Sequence, residues 1–214
     1  LGLCEPMCVE VKRTLGMACD VTFVIYVGIG CGAGWVTRYE DTPAILLGLE
    51  NIAECGWCDA PTLKGLLAHE MGHLAHFHWR AEEEKPPGTG PWWQLYTEGF
   101  AQRCEHLIMG RESWHMGMED NWLSWCQENS VRLAREFLSA MDEGRAVRRF
   151  FGSWYEIEGR SQSGYFLGCE AIERLEDELS LKEIALLDNW RERTREKVEE
   201  MAHTRNKSGV FHLR

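Results

Sequence analysis

The chain has 214 residues, 44% of them hydrophobic, with ten tryptophans and a formal net charge of −11. That is enough apolar material for one substantial core, in one or two lobes. The acidic balance, with no basic stripe or Lys/Arg cluster interleaved with aromatics, excludes nucleic acid and anionic membranes as expected partners.

In chain order, residues 21–27 (VTFVIYV) are β-branched and aromatic and read as a strand. Extended to residue 30 they make the longest apolar run, too short for a membrane helix. The glycine-rich stretch 28–34 (GIGCGAG) superficially matches a dinucleotide fingerprint. Residues 35–40 and 44–49 then read as strands, not as the helix whose N-terminus must hold a pyrophosphate, so a flexible hairpin or loop between strands is expected. Cys55 and Cys58 form a CxxC just before the next helix. A redox motif would open a helix in a βαβ setting, so a structural loop is preferred over a redox or regulatory site. A second metal knuckle from Cys4 and Cys8 needs pairs that sequence alone does not bring together. The nine cysteines, an odd count without a visible secretory signal, are expected to be mostly reduced thiols, several of them buried, in a cytoplasmic protein.

Residues 62–80 (TLKGLLAHEMGHLAHFHWR) repeat apolar side chains at three- and four-residue steps and predict a helix, with Asp59 and Pro61 as start signals and Pro86-Pro87 beyond its end. Within it, HEMGH places His69 and His73 one turn apart on one face, with Glu70 between them. That spacing lets both imidazoles reach one Zn2+ while Glu70 acts on a water as general base. The third ligand separates competing architectures. The x-x-G-x-x-H continuation fails, because His76 stands where glycine is needed and Trp79 where histidine is needed. Across a Pro/Gly breaker at 82–90, the segment 94–102 (QLYTEGFAQ) offers Glu98 on a following helix, with twenty-four residues between His73 and Glu98. A helix-loop-helix hairpin folds Glu98 back over the histidine pair, and Gly99 beside it permits close approach of another chain segment. His76 shares the face of His69 but lies roughly 10 Å along the axis. It is a poor ligand and is expected in the pocket wall or in a hydrogen bond. His106, His115, His203 and His212 carry no spacing that argues for metal.

HEMGH followed by YTEGFA resembles the gluzincin group of metallopeptidases, in particular the minimal peptidase-MA-like zinc-dependent proteases; the motifs cover about residues 44–106. The resemblance implies His69, His73 and Glu98 as zinc ligands, Glu70 as general base, and a peptide or protein as substrate. It also implies that the strand before the HExxH helix, residues 45–49, forms an edge that receives substrate backbone by strand addition. One departure is plain: some gluzincins have an aspartate one turn after the ligand glutamate to orient a histidine, and here that residue is Gln102. Glu105 is the nearest later acid. Farther on, GYFLG (164–168) is similar to a GYxxG pattern of minimal gluzincins and implies Tyr165 as oxyanion donor, with packing at a helix start as the alternative and Tyr155 or Arg160 as substitutes.

The rest reads as helical over 114–126, 130–141, 164–179 and 180–201, with Glu82 to Glu84 and later Glu/Arg patterns on solvated faces and a loosely ordered tail at 207–214. The expected architecture is a single α+β domain of zincin type: a small twisted sheet within about 1–58, then a zinc-site helical hairpin and a helical lobe over about 59–214. The expected activity is zinc-dependent peptide hydrolysis. A hydrolase of non-peptide amides or esters, and a non-catalytic metal-binding module, are the alternatives.

Overall fold

The computed structural model describes residues 2–17, 20–28, 30, 32–116, 121–152 and 155–204. The tail whose order was in question, with His212, lies outside them, as do Cys19 and Cys31. The architecture is α+β: a small mixed sheet with helices packed around it.

The chain opens with a helix that the sequence reading placed in the sheet-rich part, α1 (Cys4–Leu15). Cys4, Met7 and Val11, at three- and four-residue steps, are its buried face, and Gly16 ends it in the left-handed conformation. Three strands follow: β1 (Thr22–Tyr26), β2 (Gly34–Tyr39) and β3 (Thr42–Gly48). Their order is β1-β3-β2, with β1 parallel and β2 antiparallel to β3. The β2–β3 hairpin turns at Glu40 and Asp41, with φ of 46° and 63°, the primed geometry that matches strand twist.

This order agrees with one expectation and corrects another. The glycine-rich segment connects the two outer strands, β1 and β2, which is the loop of the two readings given for it. Residues 45–49 are not an edge: β3 is paired on both sides, and Leu49 already opens α2 (Leu49–Glu54). The open edges belong to β1 and β2.

The long helix α3 (Ala60–Glu82) starts where expected. The Asp59 carboxylate accepts a hydrogen bond from the Thr62 amide at 3.0 Å, and Pro61 sits in the first turn. After the Pro/Gly breaker, α4 (Gly90–Met109) returns against α3. Arg80, near the end of α3, lies over the Trp93 ring at the start of α4, so the two helices run antiparallel.

The remaining elements are α5 (Trp122–Glu128), α6 (Ser130–Asp142), a short 3-10 turn (Arg148–Phe150), the two-residue strands β4 (Glu156–Ile157) and β5 (Arg160–Ser161), α7 (Ser163–Glu176), α8 (Leu181–Ala185) and α9 (Trp190–His203). The helix expected from residue 114 begins only at Trp122, because Ser113 and His115 are bonded to the buried Glu105 side chain. The expected helical run 180–201 is broken between α8 and α9, where Arg80 takes the carbonyls of Ala185 and Leu187.

Buried side chains form two clusters on either side of α4. One joins the sheet, α1, α3 and α4 through Val11, Ile45, Leu66, Met71 and Phe100; the other joins α4 to α6, α7 and α9 through Leu95, Phe137, Leu167 and Val198. Between α4 and α7 the backbones touch: a Cβ on Gly99 would lie 2.1 Å from the Gly168 carbonyl carbon. Gly99 thus admits the close approach read from its place beside Glu98, and it sets α7 directly over the candidate site. Among the described residues, no helix is long and apolar enough to cross a membrane.

Candidate metal centre

The helical period puts His69 and His73 on the face of α3 that meets α4, and the antiparallel return of α4 sets Glu98 opposite them. His69 Nε2 and His73 Nε2 lie 3.3 and 3.2 Å from the same Glu98 oxygen, Oε2. The two imidazole rings are 4.9 Å apart and nearly perpendicular. Each of the three residues offers a ligand atom within 4.8 Å of the others. Two imidazole nitrogens and one carboxylate oxygen, open on the remaining side to a cleft, form a donor set that suits Zn2+ with a free coordination position.

The electrostatics agree with that use. Burial lowers the pKa of His69 to about 4, keeping it neutral, the ligating form. Burial also pushes His73 down, but the Glu98 carboxylate with Glu70 behind it outweighs this and raises it. Glu98 is pushed up by burial, yet His73 and the hydrogen bonds from both histidines hold it well below the usual carboxylate range. For Glu70 burial outweighs the lowering charges of His73 and His115 and raises it to about 7. β2 passes directly over it: a Cβ on Gly34 would stand 2.7 Å from Glu70 Oε1.

His69, Glu70, His73, Glu98 and Tyr165 line one cleft of about 400 Å³. Tyr165, on the first turn of α7, has its ring 5.9 Å from that of His69. Burial, the charges of Glu98 and Glu70 and the nearness of the Glu98 carboxylate keep its phenol neutral, well above the usual tyrosine range. Neither Tyr155 nor Arg160 is among the lining residues.

Other sequence candidates lie elsewhere. His76 is fully buried among Phe77, Trp93, Tyr96 and Phe100, with ring centroids 5.0–5.6 Å away, and neither ring nitrogen has a hydrogen-bond partner. It is neither a pocket-wall residue nor a hydrogen-bonded one, because the α3–α4 seam encloses it in aromatic core. His78 pairs with Glu82 at the helix surface. Among the described residues, no cysteine belongs to a group that could hold a metal.

Two residues of the site carried no motif. Glu105, two turns after Glu98 on the same helix, is completely buried; His115, delivered by the loop after α4, lines the cleft. Their rings and oxygens meet His69 from behind: the His115 and His69 rings are 4.7 Å apart, and Glu105 Oε2 is 3.8 Å from His69 Nδ1. The helical step from Glu98 to Glu105 was visible in the sequence, whereas nothing local marks His115. Comparison with family models, curated proteins and solved structures returns no significant match for this chain.

Proposed function

We propose that the protein is a zinc-dependent metallopeptidase with a zincin-like fold, holding Zn2+ through His69, His73 and Glu98 and cleaving peptide bonds with Glu70 as general base. The observation that carries this reading is the meeting of His69 Nε2, His73 Nε2 and Glu98 Oε2 at one point of a cleft that Glu70 also lines. When bound, Zn2+ supplies Lewis acidity, activating a water and polarising the scissile carbonyl.

The chain's own groups do the rest. Glu70 takes the proton of the attacking water and hands it to the leaving amine; a carboxyl raised toward neutrality by burial is suited to both transfers. Tyr165, kept protonated, donates a hydrogen bond to the oxygen on which negative charge develops. The edge strand β2, whose Gly34, Trp35 and Val36 line the cleft, offers unpaired main-chain groups to an extended peptide. This role passes to β2 from the segment 45–49. The odd count of nine cysteines, read as mostly reduced thiols, goes with a cytoplasmic setting as part of the same proposal.

The test is turnover of a mixed peptide library by the zinc-loaded protein and by Glu70→Gln, with metal content measured in parallel. Peptide cleavage by the native chain, lost in Glu70→Gln at unchanged zinc content, is the expected result. Zinc without cleavage favours a binding module, or a hydrolase of non-peptide amides or esters if such substrates turn over. Undiminished activity in Glu70→Gln refutes the mechanism.

A further inference from the structure

His69 leaves one polar atom unexplained. Its Nδ1 is buried, has no hydrogen-bond partner, and faces Glu105 Oε2 at 3.8 Å. Glu105 is meanwhile held by four donors. Gln102 Nε2 and His115 Nδ1 donate to its Oε2 at 3.1 and 2.7 Å, and Ser113 Oγ and the His115 amide donate to its Oε1 at 2.7 and 2.9 Å. Two donors on each oxygen fix the orientation of this carboxylate, and its Oε2 still faces His69 Nδ1. The cradle is built in from the other side too, since a Cβ on Gly65 of α3 would fall 2.9 Å from both Glu105 Oε1 and His115 Cβ. Any larger residue there would expel the loop that carries Ser113 and His115.

The donor pattern decides what Glu105 is for. Gln102, in the position where the motif resemblance leads one to look for an orienting aspartate, turns its amide N–H groups to Glu105 and to the Ser113 carbonyl and does not serve His69. A neutral imidazole carries one N–H. While Nε2 donates to Glu98, Nδ1 presents a lone pair to the Glu105 carboxylate, and the two acceptors stand apart, as their separation shows. Once Nε2 gives its lone pair to a cation, the N–H must sit on Nδ1, where the Glu105 carboxylate faces it.

We propose that Glu105, locked by Gln102, Ser113 and His115, is the positioning carboxylate of the metal centre: it accepts the Nδ1–H that metal binding leaves on His69 and so holds that imidazole with its Nε2 toward the ion. Glu105 is not assigned as a ligand of a second ion, although His69, Glu105 and His115 also offer ligand atoms within 4.8 Å of one another, because its Oε2 is already bonded to His115 Nδ1 at 2.7 Å and to Gln102 Nε2 at 3.1 Å, pairs that a bound cation would have to break. The inference rests on the zinc reading above, but it concerns a different residue and a different observable.

The direct test uses the native protein loaded with zinc and labelled with 15N-histidine. His69 is expected to show a metal-bound Nε2 and a protonated Nδ1 whose proton exchanges slowly with solvent. An Nδ1 proton that exchanges as fast in the wild type as in Glu105→Gln overturns the proposal. In parallel, zinc affinity is measured by chelator competition on wild type and on the near-isosteric Glu105→Gln. A loss of about 10- to 100-fold is expected at one zinc per chain. Equal affinity overturns this proposal alone; two zinc ions per wild-type chain, one of them lost in Glu105→Gln, overturns it in favour of a second metal site. A wild-type protein that takes up no zinc overturns the underlying metal reading instead.

Discussion

Glu70 and Tyr165 occupy the same cleft, and burial acts on them in the same direction, holding protons on both. For Glu70 this fixes the sign of a pH effect. A general base works only when ionised, so kcat/KM falls as pH drops through its pKa. Burial, the largest cause, raises that pKa to about 7 in the metal-free protein, and a dication beside it favours the carboxylate, so the acid limb lies below pH 7. A pH–rate profile that stays flat down to pH 5 contradicts the assignment. Glu70→Gln is expected to lose at least about 10²-fold in kcat/KM. Tyr165→Phe is expected to lower kcat by about 10²-fold with KM little changed, the signature of an interaction made only in the transition state. Full kcat in Tyr165→Phe would make Tyr165 a packing residue. At this scale the sequence was legible where helical spacing carries the chemistry: His69, Glu70 and His73 follow from one turn of helix, and Glu98 from the hairpin that returns over them. His115 was not legible, because a loop delivers it and Glu105 holds it, and neither the loop's path nor that carboxylate's direction has a local sequence signal.

At the scale of elements, the seam between α4 and α7 positions Tyr165, and Gly99 and Gly168 make it possible. Gly168→Ala places a methyl 2.3 Å from the Leu95 carbonyl oxygen, a backbone atom that cannot move aside. A destabilisation of about 2 kcal/mol or more is expected, with a thermal midpoint lowered by roughly 4–8 °C and Tyr165 displaced from Glu98. The α3–α4 seam makes a second prediction. His76 is held neutral in the folded chain, well below its ordinary pKa, by burial first and by the charges of Arg80 and His73. Unfolded, it takes a proton near pH 6.5. Below that pH the unfolded state binds more protons, so the His76 contribution destabilises the fold as pH falls, by up to about 1.4 kcal/mol per pH unit. Relative to wild type, His76→Leu should therefore gain stability between pH 6.5 and 5.5 in denaturant titrations of the metal-free protein. An unchanged difference across that range would show that His76 reaches water or a partner. Element by element, helices with caps were readable: Asp59 and Pro61 start α3, and the Pro/Gly breaker ends it before α4. α1 was readable in retrospect, from the buried step of Cys4, Met7 and Val11 and from Gly16. The order β1-β3-β2 was not, since strand pairing is set by contacts distant in sequence and the alternation within each strand is the same for a central strand as for an edge.

For the whole molecule, the candidate metal site ties together the two buried clusters that flank α4, because its proposed ligands come from α3 and α4 and its roof from α7. Ligand binding restricted to the folded state stabilises it, so zinc at about 1,000 times its Kd should raise unfolding free energy by about 4 kcal/mol in wild type and by much less in Glu98→Gln. Equal stabilisation of both proteins would mean that zinc binds elsewhere. The coarse α+β architecture was legible in the switch from strand-like to helical periodicity near residue 58, and the division of the core into two lobes is what the length of the chain permits. The most direct measurement is an anomalous difference map at the zinc edge from crystals of the zinc-loaded protein. One peak bonded to His69 Nε2, His73 Nε2 and a Glu98 oxygen is the predicted result; a peak at any other residues, or none at full zinc occupancy in solution, contradicts the account.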